Sequence, residues 1–96
     1  MKSLELELVK KWLVNPESVS AEERDQAAVN ATRIAAKTAA AVYRAANGID
    51  VVSAAVIDAE TADGIAAAVA YAADAARVDD VAGAKYWVER YEALTK

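Results

Sequence analysis

Residues 20–48 read SAEERDQAAVNATRIAAKTAAAVYRAANG, and both ends of this stretch carry helix signals. Ser20 can accept a hydrogen bond from the backbone N–H three residues on, and Glu23 can reach back to the N–H of Ser20, the reciprocal pair of a capping box. Glu22, Glu23 and Asp25 follow in the first turn, where the positive end of the helix dipole favours them. Asn47-Gly48 supplies the left-handed residue on which helices commonly close. Between these limits Ala27, Ala28, Ala31, Ile34, Ala35, Thr38, Ala41, Val42 and Ala45 recur at three- and four-residue steps, while Gln26, Asn30, Arg33, Lys37 and Arg44 fall mostly opposite. The spacing predicts one long helix over 21–47 with a small-sided buried face. Alanine lets helix axes approach to roughly 8 Å, but each methyl removes little area from water, so close contact has to replace bulk.

Before this stretch, Leu4-Glu5-Leu6-Glu7-Leu8 alternates like a strand. Its continuation through Val9, Trp12 and Leu13 fits a helical period instead, and nothing nearby alternates to pair with it. Ser3 can cap this helix, Glu7 and Lys11 form a favourable i,i+4 pair, and Asn15-Pro16 ends it because the residue before proline is driven out of helical geometry.

After Gly48, Asp50 can cap a short apolar segment to Ala59. Val51, Val52, Val56 and Ile57 leave a strand open on propensity, but a lone strand would leave its own backbone groups unpaired, so a short helix is expected. Thr61 then restarts the chain as the cap of a helix to Arg77, with Ile65, Val69, Ala72 and Ala76 inward, and Asp79 or Asp80 caps the last one. Val78 is a weak break, so 62–94 reads as two helices or as one kinked rod. The expectation is a single all-α domain over residues 1–96, an alanine-rich bundle of four to five helices at about 3–14, 21–47, 51–59, 62–77 and 80–94.

Composition removes several chemistries. The chain has no cysteine and no histidine, which excludes disulfides, thiolate catalysis, Cys/His metal sites and the commonest general base. No serine lies in a G-x-S-x-G or S-x-x-K spacing, and Gly48, Gly64 and Gly83 are too far apart for a phosphate loop. Asp58, Glu60 and Asp63, and again Asp79-Asp80, gather at helix junctions, where acids belong as caps rather than as metal ligands. We therefore expect no enzyme, no metal and no cofactor. The net charge is −4, made of +1 over Met1–Gly48 and −5 over Ile49–Lys96, and without a basic cluster nucleic acid is not an expected partner. Glu5 and Glu7 interrupt what would be the apolar part of a signal peptide, and the longest uncharged run, Gly64 to Ala73, is well short of a bilayer span of ~20 residues. A soluble, cytoplasmic chain without a membrane partner is expected. Its thin core favours pairing with a second copy, so a homodimer is expected as well.

What remains is a binding surface. Tyr86, Trp87, Arg90 and Tyr91 concentrate within two turns the residue types of interface hot spots. Trp12, Trp87 and Tyr91 are expected to fill the core, whereas Tyr86 and Arg90, four apart on the flank, can stack and join the Arg33, Lys37, Arg44 stripe as contact residues. The expected function is that of a small interaction or accessory protein acting through a helical surface. The alternative is a small-molecule binder with an apolar pocket lined by Tyr43, Tyr71 and Trp87, where alanine neighbours leave room.

Overall fold

A computed structural model describes residues 3–46 and 54–96, with side chains for 3–44 and 61–96. Among them run four α-helices and no strand: α1 (Leu4–Val14), α2 (Ala21–Ala46), α3 (Ala54–Arg77) and α4 (Val81–Leu94), with one 3-10 turn at Pro16–Ser18. The Asn47-Gly48 stop, the Asp50 cap and residues 51–53 lie outside the described residues.

Local chemistry sets most of the ends. The Ser3 hydroxyl accepts from the Leu6 N–H at 3.2 Å, and Leu6, Val9 and Trp12 are buried at three-residue steps, so Leu4–Leu8 is helical despite its alternation. Asn15 leaves helical geometry before Pro16, and its side chain accepts from the Glu17 N–H at 3.3 Å to start the 3-10 turn. The capping box of α2 forms as written: the Ser20 hydroxyl accepts from the Glu23 N–H and the Glu23 carboxylate from the Ser20 N–H, each at 3.1 Å.

Two features differ from the expectation. The helices expected at 51–59 and 62–77 are one, because α3 runs unbroken from Ala54 to Arg77. Thr61 and Asp63 are cap-type residues, but inside a helix each costs only about 0.5 kcal/mol, far less than the backbone hydrogen bonds a break would give up. Asp63 also has a partner that sequence spacing does not reveal, accepting from the Thr38 hydroxyl of α2 at 3.2 Å. The second difference is the firmness of the break near Val78. The Asp80 N–H donates to the Ala75 carbonyl at 2.8 Å and the Asp79 N–H to the Ala76 carbonyl at 3.2 Å, a Schellman closure with Asp79 in the left-handed region at φ 58°. Asp80 then caps α4, accepting from the Gly83 N–H at 2.9 Å, so 62–94 is two helices.

Helix α3 is the centre of the molecule. It packs along α2 on one side and α4 on the other, α2 and α4 do not touch among the described residues, and α1 lies across the face the three share. This position explains why Ala66 and Ala73 are buried along with Val69, Ala72 and Ala76 of the expected inward face, while Ile65, also expected inward, is half-buried and Tyr71 is half exposed. On α4 the inward line is Ala84, Val88 and Tyr91, while Val81 is exposed at the helix start. Among the described residues ten of the seventeen buried apolar side chains are alanines, so this core gains its contacts by close approach of axes, with Leu6, Val9 and Trp12 supplying most of the bulk.

Length mismatch shapes the rest. At ~1.5 Å per residue α2 and α3 are each nearly 40 Å long, whereas α1 and α4 are about 16 and 21 Å. The core lies where all four overlap, between Ala27 and Ala31 on α2 and between Ala66 and Ala76 on α3. Beyond that, no α2 residue from Thr32 to Arg44 is buried, nor any α3 residue from Thr61 to Ile65. The hairpin continues as a bare limb, giving overall dimensions of 50 × 24 × 19 Å.

Candidate functional site: a groove where the cover ends

The start of α1 and the end of α4 meet the hairpin at one level, and there the surface opens into a groove of about 430 Å³. Ala31, Ile34 and Thr38 of α2 form one wall at steps of three and four, and Ala62, Ile65, Ala66 and Val69 of α3 form the other, as two helices presenting apolar stripes must. Ser3, Leu4 and Glu5 of α1 overhang one end, and Tyr91 of α4 closes the inside. Leu4 is 83 % exposed and Ile34 47 %, the least covered large apolar side chains described on this face.

The polar groups of the groove are few. Thr38 donates its hydroxyl to the Ala35 carbonyl at 2.9 Å as well as to Asp63, tying the two helices of the limb together. Ser3 donates to the Glu5 carboxylate at 3.3 Å, and Glu5 is the one charged side chain among the described residues of the lining. Along the outer edge of α2, Arg33, Lys37 and Arg44 are exposed and make no ion pair with another described residue. At ~100° per residue these three fall within about 40° of one another, beside the line of Ile34 and Thr38.

The expected contact residues divide into two patches. Arg33, Lys37 and Arg44 flank the groove; Tyr86 and Arg90 are exposed on α4, which α3 separates from α2. The ring of Tyr86 meets Trp87 edge-on at 4.9 Å instead of carrying Arg90. The alternative pocket does not assemble. Tyr71 and Trp87 touch at 4.6 Å between ring centroids, but Tyr43 is elsewhere. Taking the Thr38–Asp63 bond as the register, Tyr71 lies eight residues towards the core and Tyr43 five towards the tip, roughly 20 Å apart along antiparallel helices. None of the three lines the groove.

Of the acids gathered at helix junctions, Asp58 and Glu60 lie outside the described side chains, and the other three have structural partners. Asp63 is held by Thr38, Asp80 by Gly83, and Asp79 by Arg24, and the described residues contain no group of acids placed to hold a metal ion. Arg24 is a residue that sequence reading passes over. Its guanidinium lies 5.4 Å from the centre of the Trp12 ring, and Nη1 donates to the Ala76 carbonyl at 2.6 Å and to Asp79 Oδ1 at 2.7 Å. One largely covered cation thus joins α1, α2 and the α3–α4 turn, at the far end of the core from the groove. Nothing in its local spacing marks it, since these partners are all distant in sequence. Among the described residues, no helix is long and apolar enough to cross a membrane. No protein-family model, curated protein or solved structure matches this chain.

Proposed function

We propose that this chain is a small non-enzymatic interaction protein that holds its partner on the bare limb of the α2/α3 hairpin. The observation that carries the reading is the groove at the base of that limb, where the helices that cover the rest of the hairpin stop and leave Leu4, Ile34 and Ile65 around an open apolar space. Covering the exposed parts of Leu4 and Ile34 alone would contribute roughly 3 kcal/mol by area. A two-helix surface with an apolar trough is also a standard seat for a third helix. A cytoplasmic setting suits this reading, because a chain without cysteine draws no stability from an oxidising compartment.

The test places a photo-crosslinking amino acid at Ile34 or Ile65, and as a control at Lys85 on the exposed side of α4. The reading expects a discrete adduct, identified by mass spectrometry, from positions 34 and 65 and none from 85. Absence of adducts at both groove positions, or equal labelling at Lys85, overturns it.

A second reading has one observation in its favour: the groove volume of about 430 Å³ falls within the usual range for a small-molecule site. A reproducible rise in melting temperature with one apolar compound, lost in Ile34→Glu, would promote it over a macromolecular partner.

A further inference from the structure

The chemistry of the groove's occupant can be narrowed further, on the reading that the bare limb is a contact surface. A second copy of this chain is poorly suited. Two hairpins placed face to face by a two-fold axis running across the helices lay α2 on α2, bringing the Arg33, Lys37, Arg44 edge of one against the same three cations of the other. An axis running along the helices would put α2 over α3, but α1 lies on that face at the core end and would meet its counterpart. Nucleic acid is equally poor, since three cations on a chain of net charge −4 make a sparse contact for phosphates.

The groove itself specifies something else. It opens beside Leu4, between two helices, and its walls, Ala31 to Thr38 on α2 and Ala62 to Val69 on α3, each run about 10 Å, room for roughly two turns of a helix. Its floor is apolar, its α2 edge carries Arg33 and Lys37, with Arg44 further along the same line and none of them ion-paired with another described residue, and its described α3 wall from Ala62 to Val69 offers one carboxylate, Asp63, already bonded to Thr38. We propose that the groove takes an amphipathic helix of another protein, seated over about two of its turns, whose apolar stripe enters between Ile34 and Ile65 and whose polar flank towards α2 is acidic. Such a helix buries its leucine-type stripe where α1 leaves off and sets its acids beside Arg33 and Lys37, with Arg44 facing the continuation of the same flank towards the tip.

The probe is a pair of synthetic 15-residue amphipathic peptides with leucine at helical spacing, one with a glutamate flank and one with lysine at the same positions, read by fluorescence anisotropy against the whole chain. The glutamate peptide should bind at least tenfold more tightly than the lysine peptide. The triple variant Arg33→Glu, Lys37→Glu, Arg44→Glu should reverse that preference, with its helicity by circular dichroism unchanged. Ile34→Glu should weaken both peptides. Equal binding of the two peptides, binding of neither, or an unchanged preference in the triple variant overturns the proposal. So does a wild-type mass by sedimentation of twice the 10.1 kDa chain that Ile34→Glu returns to one, since a second copy would then fill the groove. Crosslinking at Ile34 with failure of the acidic peptide would overturn the acidic helix while keeping the bare limb as the contact surface.

Discussion

The two ends of the α2/α3 hairpin are built from the same residues and differ in fate. Ala27, Ala28 and Ala31 are buried, whereas Ala35, Thr38 and Val42, which continue the same line towards the tip, are only half-buried. At the first end α1 and α4 lie on the hairpin and Arg24 pins α2 to the α3–α4 turn; at the other, Thr38 and Asp63 hold the pair together beneath open solvent. An alanine face supplies closeness without area, so it is stable only where something larger is pressed against it. Trp12, Leu6 and Val9 serve that purpose at the covered end. At the bare end the described residues supply no such element, which is the physical ground for reading that end as a binding surface.

Equal truncations at the two ends put this contrast at greatest risk. Leu6→Ala, at a side chain 1 % exposed, should cost about 3 kcal/mol in urea unfolding, whereas Ile34→Ala, at one 47 % exposed, should cost under about 1 kcal/mol. Similar losses at both would mean the limb is covered in the isolated chain. Arg24→Ala should come next, at about 2 kcal/mol, because it uncovers the Trp12 face and leaves the Ala76 carbonyl and Asp79 without their donor. Arg24→Lys should recover little of this, since an ammonium cannot both stack on the ring and span two acceptors. Hydrogen exchange should show the loss concentrated at the α3–α4 turn, with the limb unchanged.

Smaller effects separate the two ends more finely. Ser20→Ala should cost about 1 kcal/mol by opening the capping box of α2. The backbone N–H of Ser20 and then its hydroxyl hold the Glu23 carboxyl below the ordinary glutamate value. A carboxyl lowered in the folded state contributes fully above its unfolded pKa and loses that contribution as pH falls through the lowered value. Glu23→Gln, which keeps the backward hydrogen bond, should therefore remove one component of the acid-side loss of stability, seen as a shallower melting-temperature profile below about pH 4.5. Last, Gly64→Ala should stabilise the limb by about 0.5–1 kcal/mol, because a Cβ there meets nothing within 4 Å and glycine in mid-helix is costly.

How much of this was legible in the residues depends on the range of the interaction. Both hydrogen bonds of the Ser20–Glu23 box, the Ser3 cap, the exit at Asn15-Pro16 and the Asp80 cap are short-range events, and each forms where spacing places it. The groove is invisible while residues 51–77 are divided at Thr61, for that division makes a set of short helices closer to one another in length. Only the unbroken α3 exposes the overhang. The basic edge of α2 was visible as a stripe, but its position beside an apolar trough depends on where α1 stops. The Tyr43, Tyr71, Trp87 pocket failed because residue type carries no information about distance along a hairpin.

Sequence alone therefore determined the helical class, most of the helix limits and the exclusion of histidine and cysteine chemistry, because these follow from bonds within one turn and from which side chains exist at all. Tertiary packing decided which alanines are core and which are surface, since a methyl group is equally content in either until a neighbouring helix arrives. It also decided the role of Arg24, whose partners Trp12, Ala76 and Asp79 are brought together only when three helices and a turn converge. The groove belongs to that second group, for it exists only as the difference in length between helices that lie side by side.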